Sequence, residues 1–173
     1  MNKQIIKSIL TNARLRLAAV TCLILAALGL PTAELVRGGG SPPQPINVTV
    51  FIPASVCGFP VQATATGRLG VISLPGGGFL VTYPATTAVF TNLSDPTKSV
   101  TINGFTGPAI LPPDQNGNII VRGLGRGAIW DPATPGFGIR FQAGDFTLVF
   151  DPNGNLLSDT GHGLVTNVCE LIN

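Results

Sequence analysis

Val61-Gln62-Ala63-Thr64-Ala65-Thr66-Gly67-Arg68-Leu69 alternates apolar and polar residues without a break, so that Val61, Ala63, Ala65, Gly67 and Leu69 share one face and Gln62, Thr64, Thr66 and Arg68 the other. A period of two is the signature of a strand with one face buried and one wet. The same pattern recurs on both sides of this stretch. Ile46, Val48, Val50 and Ile52 alternate with Asn47, Thr49 and Phe51, and Phe79, Val81 and Tyr83 follow the turn Pro75-Gly76-Gly77-Gly78. Further strands are expected at 89–93, 99–105, 119–124, 127–130, 137–141, 146–150 and 156–165. No stretch after Ile46 sustains the three-and-four spacing of an amphipathic helix. The domain therefore reads as all-β, an antiparallel meander of about eight to ten short strands, with a β-barrel favoured over a β-sandwich. The small residues Ala63, Ala65 and Gly67 suit a tightly curved sheet.

Two copies of one turn reinforce the meander. Asp114-Gln115-Asn116-Gly117-Asn118 precedes Ile119-Ile120, and Asp151-Pro152-Asn153-Gly154-Asn155 precedes Leu156-Leu157. Asp and Asn bond to their own backbone and Gly supplies positive φ, which is hairpin chemistry. Calcium is the competing reading, but the glycine and glutamate positions of an EF-hand loop are absent.

The 173 residues are 45% hydrophobic and 10% charged, with 22 Gly and 15 Pro, enough apolar content for one packed domain and too much punctuation for a helical bundle. The formal charge is +2. Lys3, Lys7, Arg14 and Arg16 all precede the apolar run Leu17–Leu30, which leads to Pro31-Thr32-Ala33, the order of a secretory signal peptide. Residues 1–33 are read as that signal, with cleavage after Ala33 or after Gly29. The run is too short for a bilayer span, so none is expected after cleavage. Removing it leaves six Lys and Arg against eight Asp and Glu, a net charge of −2. Scattered single cations on a weakly acidic domain carry no footprint for a phosphate backbone, and nucleic acid is excluded as a partner. Residues 34–45, containing Arg37-Gly38-Gly39-Gly40-Ser41-Pro42-Pro43-Gln44-Pro45, read as a linker and 46–173 as a single β domain.

Cys22 leaves with the signal. Cys57 and Cys169 are then the only two cysteines of an exported chain, and a disulfide between them is expected. The catalytic inventory is thin. His162 is the sole histidine, no G-x-S-x-G occurs, and the carboxylates Asp114, Asp131, Asp145, Asp151, Asp159 and Glu170 lie mostly in turns. One His and two bridged Cys cannot supply a zinc site, so no metal or other cofactor is expected. Gly123-Leu124-Gly125-Arg126-Gly127 is not a dinucleotide-binding glycine motif and reads as a bulge or hairpin corner. A ligand site is sought instead among Tyr83 and Trp130, the only Tyr and Trp, with Arg122, Arg140 and His162, which could converge at one barrel mouth around an anionic or amphipathic molecule. Asn47-Val48-Thr49 and Asn92-Leu93-Ser94 match the glycosylation sequon.

Cys57-Gly58-Phe59-Pro60-Val61 at the start of the domain, the meander, and Gly161-His162-Gly163-Leu164-Val165 ahead of Cys169 together resemble a group of small exported bacterial β-proteins of uncharacterised function, common in actinobacteria. The resemblance implies an extracellular β-fold with paired cysteines and carries over no catalytic residue. Three roles follow as expectations: a secreted or cell-surface binding module without catalysis, a small-ligand carrier or cyclase/isomerase-like enzyme with an interior site, or a structural component of the cell envelope.

Overall fold

The computed structural model describes residues 42–173 with the exception of Pro135; the expected signal peptide and most of the expected linker lie outside the described residues. In chain order the elements are β1 (Gln44–Ile52), α1 (Ala54–Cys57), β2 (Val61–Ser73), β3 (Phe79–Thr82), β4 (Thr87–Asn92), β5 (Ser99–Asn103), β6 (Pro108–Ile110), β7 (Ile119–Trp130), β8 (Ile139–Phe150), β9 (Leu156–Asn167) and α2 (Val168–Leu171). All strand pairings are antiparallel: β1 with β2, β2 with β3 and β4, β3 with β6, β4 with β5, and β6, β7, β8 and β9 in succession. β1 starts at Gln44, two residues inside the expected linker.

The meander has seven lanes, because two of them are broken. β3 and β4 lie end to end along the same side of β2, separated by Tyr83-Pro84-Ala85-Thr86, while β5 and β6 are separated by 104–107. Conversely, stretches expected to be separate strands are continuous. Residues 119–124 and 127–130 are one strand, β7, and 139–150 is a single β8. The glycine-rich segment of β7 is therefore not a hairpin corner.

Those glycines mark a crease of close backbone approach across the sheet. Gly125, Gly144 and Gly163 face one another in register across β7, β8 and β9. Their φ angles are +109°, +157° and +147°. A Cβ on Gly144 would strike the carbonyl of His162, and one on Gly163 the carbonyl of Ala143, so neighbouring backbones meet where side chains would have kept them apart. The crease continues through the two strand breaks. Thr106 N donates to Arg126 O at 3.0 Å, Gly104 N to Thr86 O at 3.2 Å, and Arg68 N to Pro84 O at 3.2 Å.

The sheet stays open. β1 pairs only with β2, and β9 pairs only with β8, so the expected barrel gives way to an open sheet. Closure into a barrel requires tilt and stagger distributed evenly over all strands. Among the described residues β1 and β9 remain the two edges of the sheet.

The core falls into three clusters. Ile52, Val61, Phe90, Ile139, Val168 and Ile172 form the larger cluster, and Val121, Ile129, Leu148 and Phe150 a second. A third joins Ile46, Leu69 and Val81. Burying one such side chain contributes roughly 1.5–3 kcal/mol. The two helices are single turns that sequence periodicity does not reveal, since a turn this short is stable only when packed. Asn167 caps α2 by accepting from Cys169 N at 3.1 Å, and Gly58 closes α1 in the left-handed conformation. Cys57 at the end of α1 and Cys169 in α2 are disulfide-bonded, which fits an oxidising compartment. Cys57 thus sits in a helical turn, not at the start of a strand. Among the described residues no helix is long and apolar enough to cross a membrane.

Candidate functional site

Residues of β1, β2, β4, β7 and β8 line a cavity of about 170 Å³. The residue types along its wall account for it. Alternate positions of β7 from Val121 to Ile129 are Gly123, Gly125 and Gly127, and all five line the cavity. A Cβ at Gly127 would meet nothing within 4 Å, and one at Gly123 only the Phe146 carbonyl oxygen at 3.9 Å. Across the space, β2 contributes Ala63 and Ala65, and β4 contributes Ala88. Small residues on three strands border a volume whose remaining wall is mostly apolar, with Val48, Val50, Phe90, Phe105, Phe146, Leu148 and Phe150 among its members and Thr86, Thr106, Arg126 and Gln142 as polar exceptions. The alternation at 61–69 therefore reports a buried face, and its small side chains report the void beside it.

Tyr83 and Trp130 both line this cavity. Arg122, Arg140 and His162 do not belong to its wall. Arg122 Nε and Nη2 donate to the two carboxylate oxygens of Asp145 at 3.2 and 2.8 Å, a bidentate pair whose side chains are 50% and 33% exposed. These hydrogen bonds from Arg122, with its charge and that of His162, hold the Asp145 carboxyl below the usual carboxylate range. The same pairing raises the Arg122 guanidinium. His162 is exposed and sits directly across from Asp145 in the β8–β9 register. The five candidates thus divide between the cavity and two other places.

Arg140 belongs to a separate arrangement. Its guanidinium lies 3.9 Å from the Phe137 ring centroid, and Nη1 donates to Asp159 Oδ2 at 3.1 Å. Asp159 also receives Gln142 Nε2, at 3.1 Å from each carboxylate oxygen. Gln142 lines the cavity, so this chain of contacts reaches its wall from behind. Gln142 carried no sequence signal, since it sits in an ordinary strand pattern; Arg126, inside the glycine run and one of three arginines on neighbouring strands, is another lining residue. Arg126 places its guanidinium 5.2 Å from the centroid of the Phe141 ring.

The remaining carboxylates serve their own turns. Asp114 Oδ1 accepts Asn116 N and Asn118 N at 2.8 and 2.9 Å, while Oδ2 accepts Asn118 Nδ2 at 2.9 Å. Asp151 repeats the arrangement with Asn153 and Asn155, every distance 2.8 Å. Buried Asp131 accepts from Ala133 N at 2.9 Å and from Thr134 Oγ1 at 2.6 Å. Among the described residues no group of three His, Cys, Asp or Glu is placed to hold a metal ion. A second depression, about 460 Å³, runs beside the disulfide, but Ala54, Ser55, Gly58, Gly136 and Glu170 on its wall are exposed and make it a surface groove.

Comparison with known proteins finds no matching family model, curated protein or solved structure.

Proposed function

We propose that this chain is an exported, non-catalytic binding protein that holds a small apolar molecule in the cavity bordered by its sheet. The cavity itself carries the reading. Protein interiors pack to crystal density, and a space of about 170 Å³ along this wall departs from that packing. Glycines and alanines at successive wall positions on three strands build that volume into the fold. An engineered apolar cavity of about 150 Å³ accepts benzene, so the occupant here has about six to eight non-hydrogen atoms. The wall, drawn from the described residues, offers no carboxylate, imidazole, thiol or ammonium, the side chains that move protons near neutral pH, which favours binding over turnover. Export is supported by the signal-like residues 1–33 and by the disulfide. It also agrees with the resemblance to small exported bacterial β-proteins.

The test uses Trp130, the only tryptophan and part of the wall. Titration with methylcyclohexane is expected to change its emission saturably and to raise the melting temperature. A protein whose Trp130 emission and melting temperature ignore the hydrocarbon would not be the carrier proposed.

A further inference from the structure

Arg126 is the one charged side chain on the cavity wall among the described residues. Two contacts place its guanidinium. It lies 5.2 Å from the centroid of the Phe141 ring, and its Nη1 is 3.2 Å from the position that a Cβ on Gly104 would take. Phe105, the residue after Gly104, meets Phe141 edge to face with ring centroids 6.3 Å apart. Phe141 is part of the core cluster, and Phe105 packs on it, that shares Val50, Ala63, Ala88, Phe90 and Trp130 with the cavity wall. The cation is therefore on the cavity side of β7. Arg126 is also exposed, so it stands where that wall meets solvent.

The protein does not answer this charge. Arg122 donates to Asp145, Arg140 to Asp159, and Arg68 to the Pro43 carbonyl oxygen. The Arg126 guanidinium has neither a hydrogen-bond acceptor nor a carboxylate partner among the described residues. Asp145, two positions along β8 from the Ala143 that Arg126 opposes, is taken by Arg122. No Asp or Glu lines the cavity to repel an anion. A contact with an aromatic ring attracts a guanidinium through the ring quadrupole and consumes none of its N–H groups.

Resting on the reading of the cavity as a ligand site, we infer that its ligand is a compact organic carboxylate, with an apolar body in the cavity and the acid group received by Arg126 at its rim. The planar guanidinium matches a carboxylate with two parallel N–H···O bonds, and the apolar wall beside it limits the water that competes for them.

Three probes share a cyclohexane ring and differ in one substituent: methylcyclohexane, apolar; cyclohexanecarboxamide, polar and neutral; and cyclohexanecarboxylate. Affinities come from calorimetry with Trp130 emission as a second readout. Wild type is expected to bind the carboxylate about tenfold more tightly than the amide. Arg126→Met is expected to erase that preference while leaving methylcyclohexane affinity unchanged, which also shows that the variant is folded. Arg68→Met makes the same change in net charge away from the wall and is expected to keep the preference. Equal binding of carboxylate and amide by wild type, a preference that survives Arg126→Met, or one that Arg68→Met abolishes overturns the carboxylate assignment and, where methylcyclohexane binds, leaves the carrier reading standing. Absence of binding by all three probes overturns the carrier reading and the carboxylate assignment with it.

Discussion

The side-chain amide of Asn92 donates to the carbonyl of Ile172 at 3.0 Å, joining the end of β4 to the C-terminal residues 80 positions later. The oxygen of the same amide accepts Ser94 N at 2.8 Å and Asp95 N at 3.3 Å. Asn92 is 5% exposed, and its bond to the Ile172 carbonyl is buried away from water. Asn92→Leu is expected to cost about 1–3 kcal/mol by stranding the Ile172 carbonyl, measurable by urea denaturation. The same burial separates the two sequons. In a glycosylating host, peptide mapping of the folded protein is expected to find sugar on exposed Asn47 and none on Asn92.

The disulfide closes a loop with a sequence separation of 112 residues. Constraining the unfolded chain over that length contributes about 5 kcal/mol in the loop-entropy model. The double variant Cys57→Ser, Cys169→Ser is expected to lose roughly that much, and wild type treated with reductant is expected to melt at the same temperature as the variant.

Gly144 and Gly163 hold the crease, and Gly127 lies beside it on the cavity wall. Gly144→Ala, which forces a side chain into the His162 carbonyl at φ +157°, is expected to destabilise by about 3 kcal/mol or more. Gly127→Val is the opposite case, with ordinary backbone and free space around the new side chain. It is expected to raise stability by about 1 kcal/mol while abolishing hydrocarbon binding. Thermal melts of the two variants with and without methylcyclohexane check both.

Acid stability follows from four surface carboxylates. Asp95, Asp114, Asp145 and Asp151 all titrate below the ordinary 3.8, held down chiefly by the side chain of Thr97, the backbone of Asn118, Arg122 and the side chain of Asn155 respectively. A carboxyl whose folded value is depressed adds stability above its unfolded value and loses it as pH falls through the folded one. Melting temperature is thus expected to fall as pH drops below about 4. Asp114→Asn with Asp151→Asn is expected to flatten that decline.

Much of this was legible in one dimension. Alternation at 46–52 and 61–69 located strands, the repeated Asp-x-Asn-Gly-Asn located two turns whose hydrogen bonds are nearly superimposable, and two cysteines located a disulfide. These signals are local, or nearly so: strand period and turn chemistry depend on a few adjacent residues, and the cysteine pair on a count. The single-turn helices α1 and α2 were invisible because their stability comes from packing.

The glycines of β7 show where locality fails. A Gly-rich run makes a hairpin corner when the chain reverses and a crease when neighbouring strands press against it. Residues 123–127 are the same in either case. The choice rests on Gly144 and Gly163, about 20 and 40 positions along the chain, which place bare backbone opposite Gly125. Tertiary structure likewise decided that Tyr83 and Trp130 share a cavity, that Arg122 and Arg140 pair with separate aspartates, and that Gln142 lines the cavity while bound to Asp159. The sequence by itself determined an all-β chain, its turns and its covalent staple. Where bare backbones meet, what space the sheet borders and which side chains line it were decided by contacts between residues far apart in the chain, which no local period encodes.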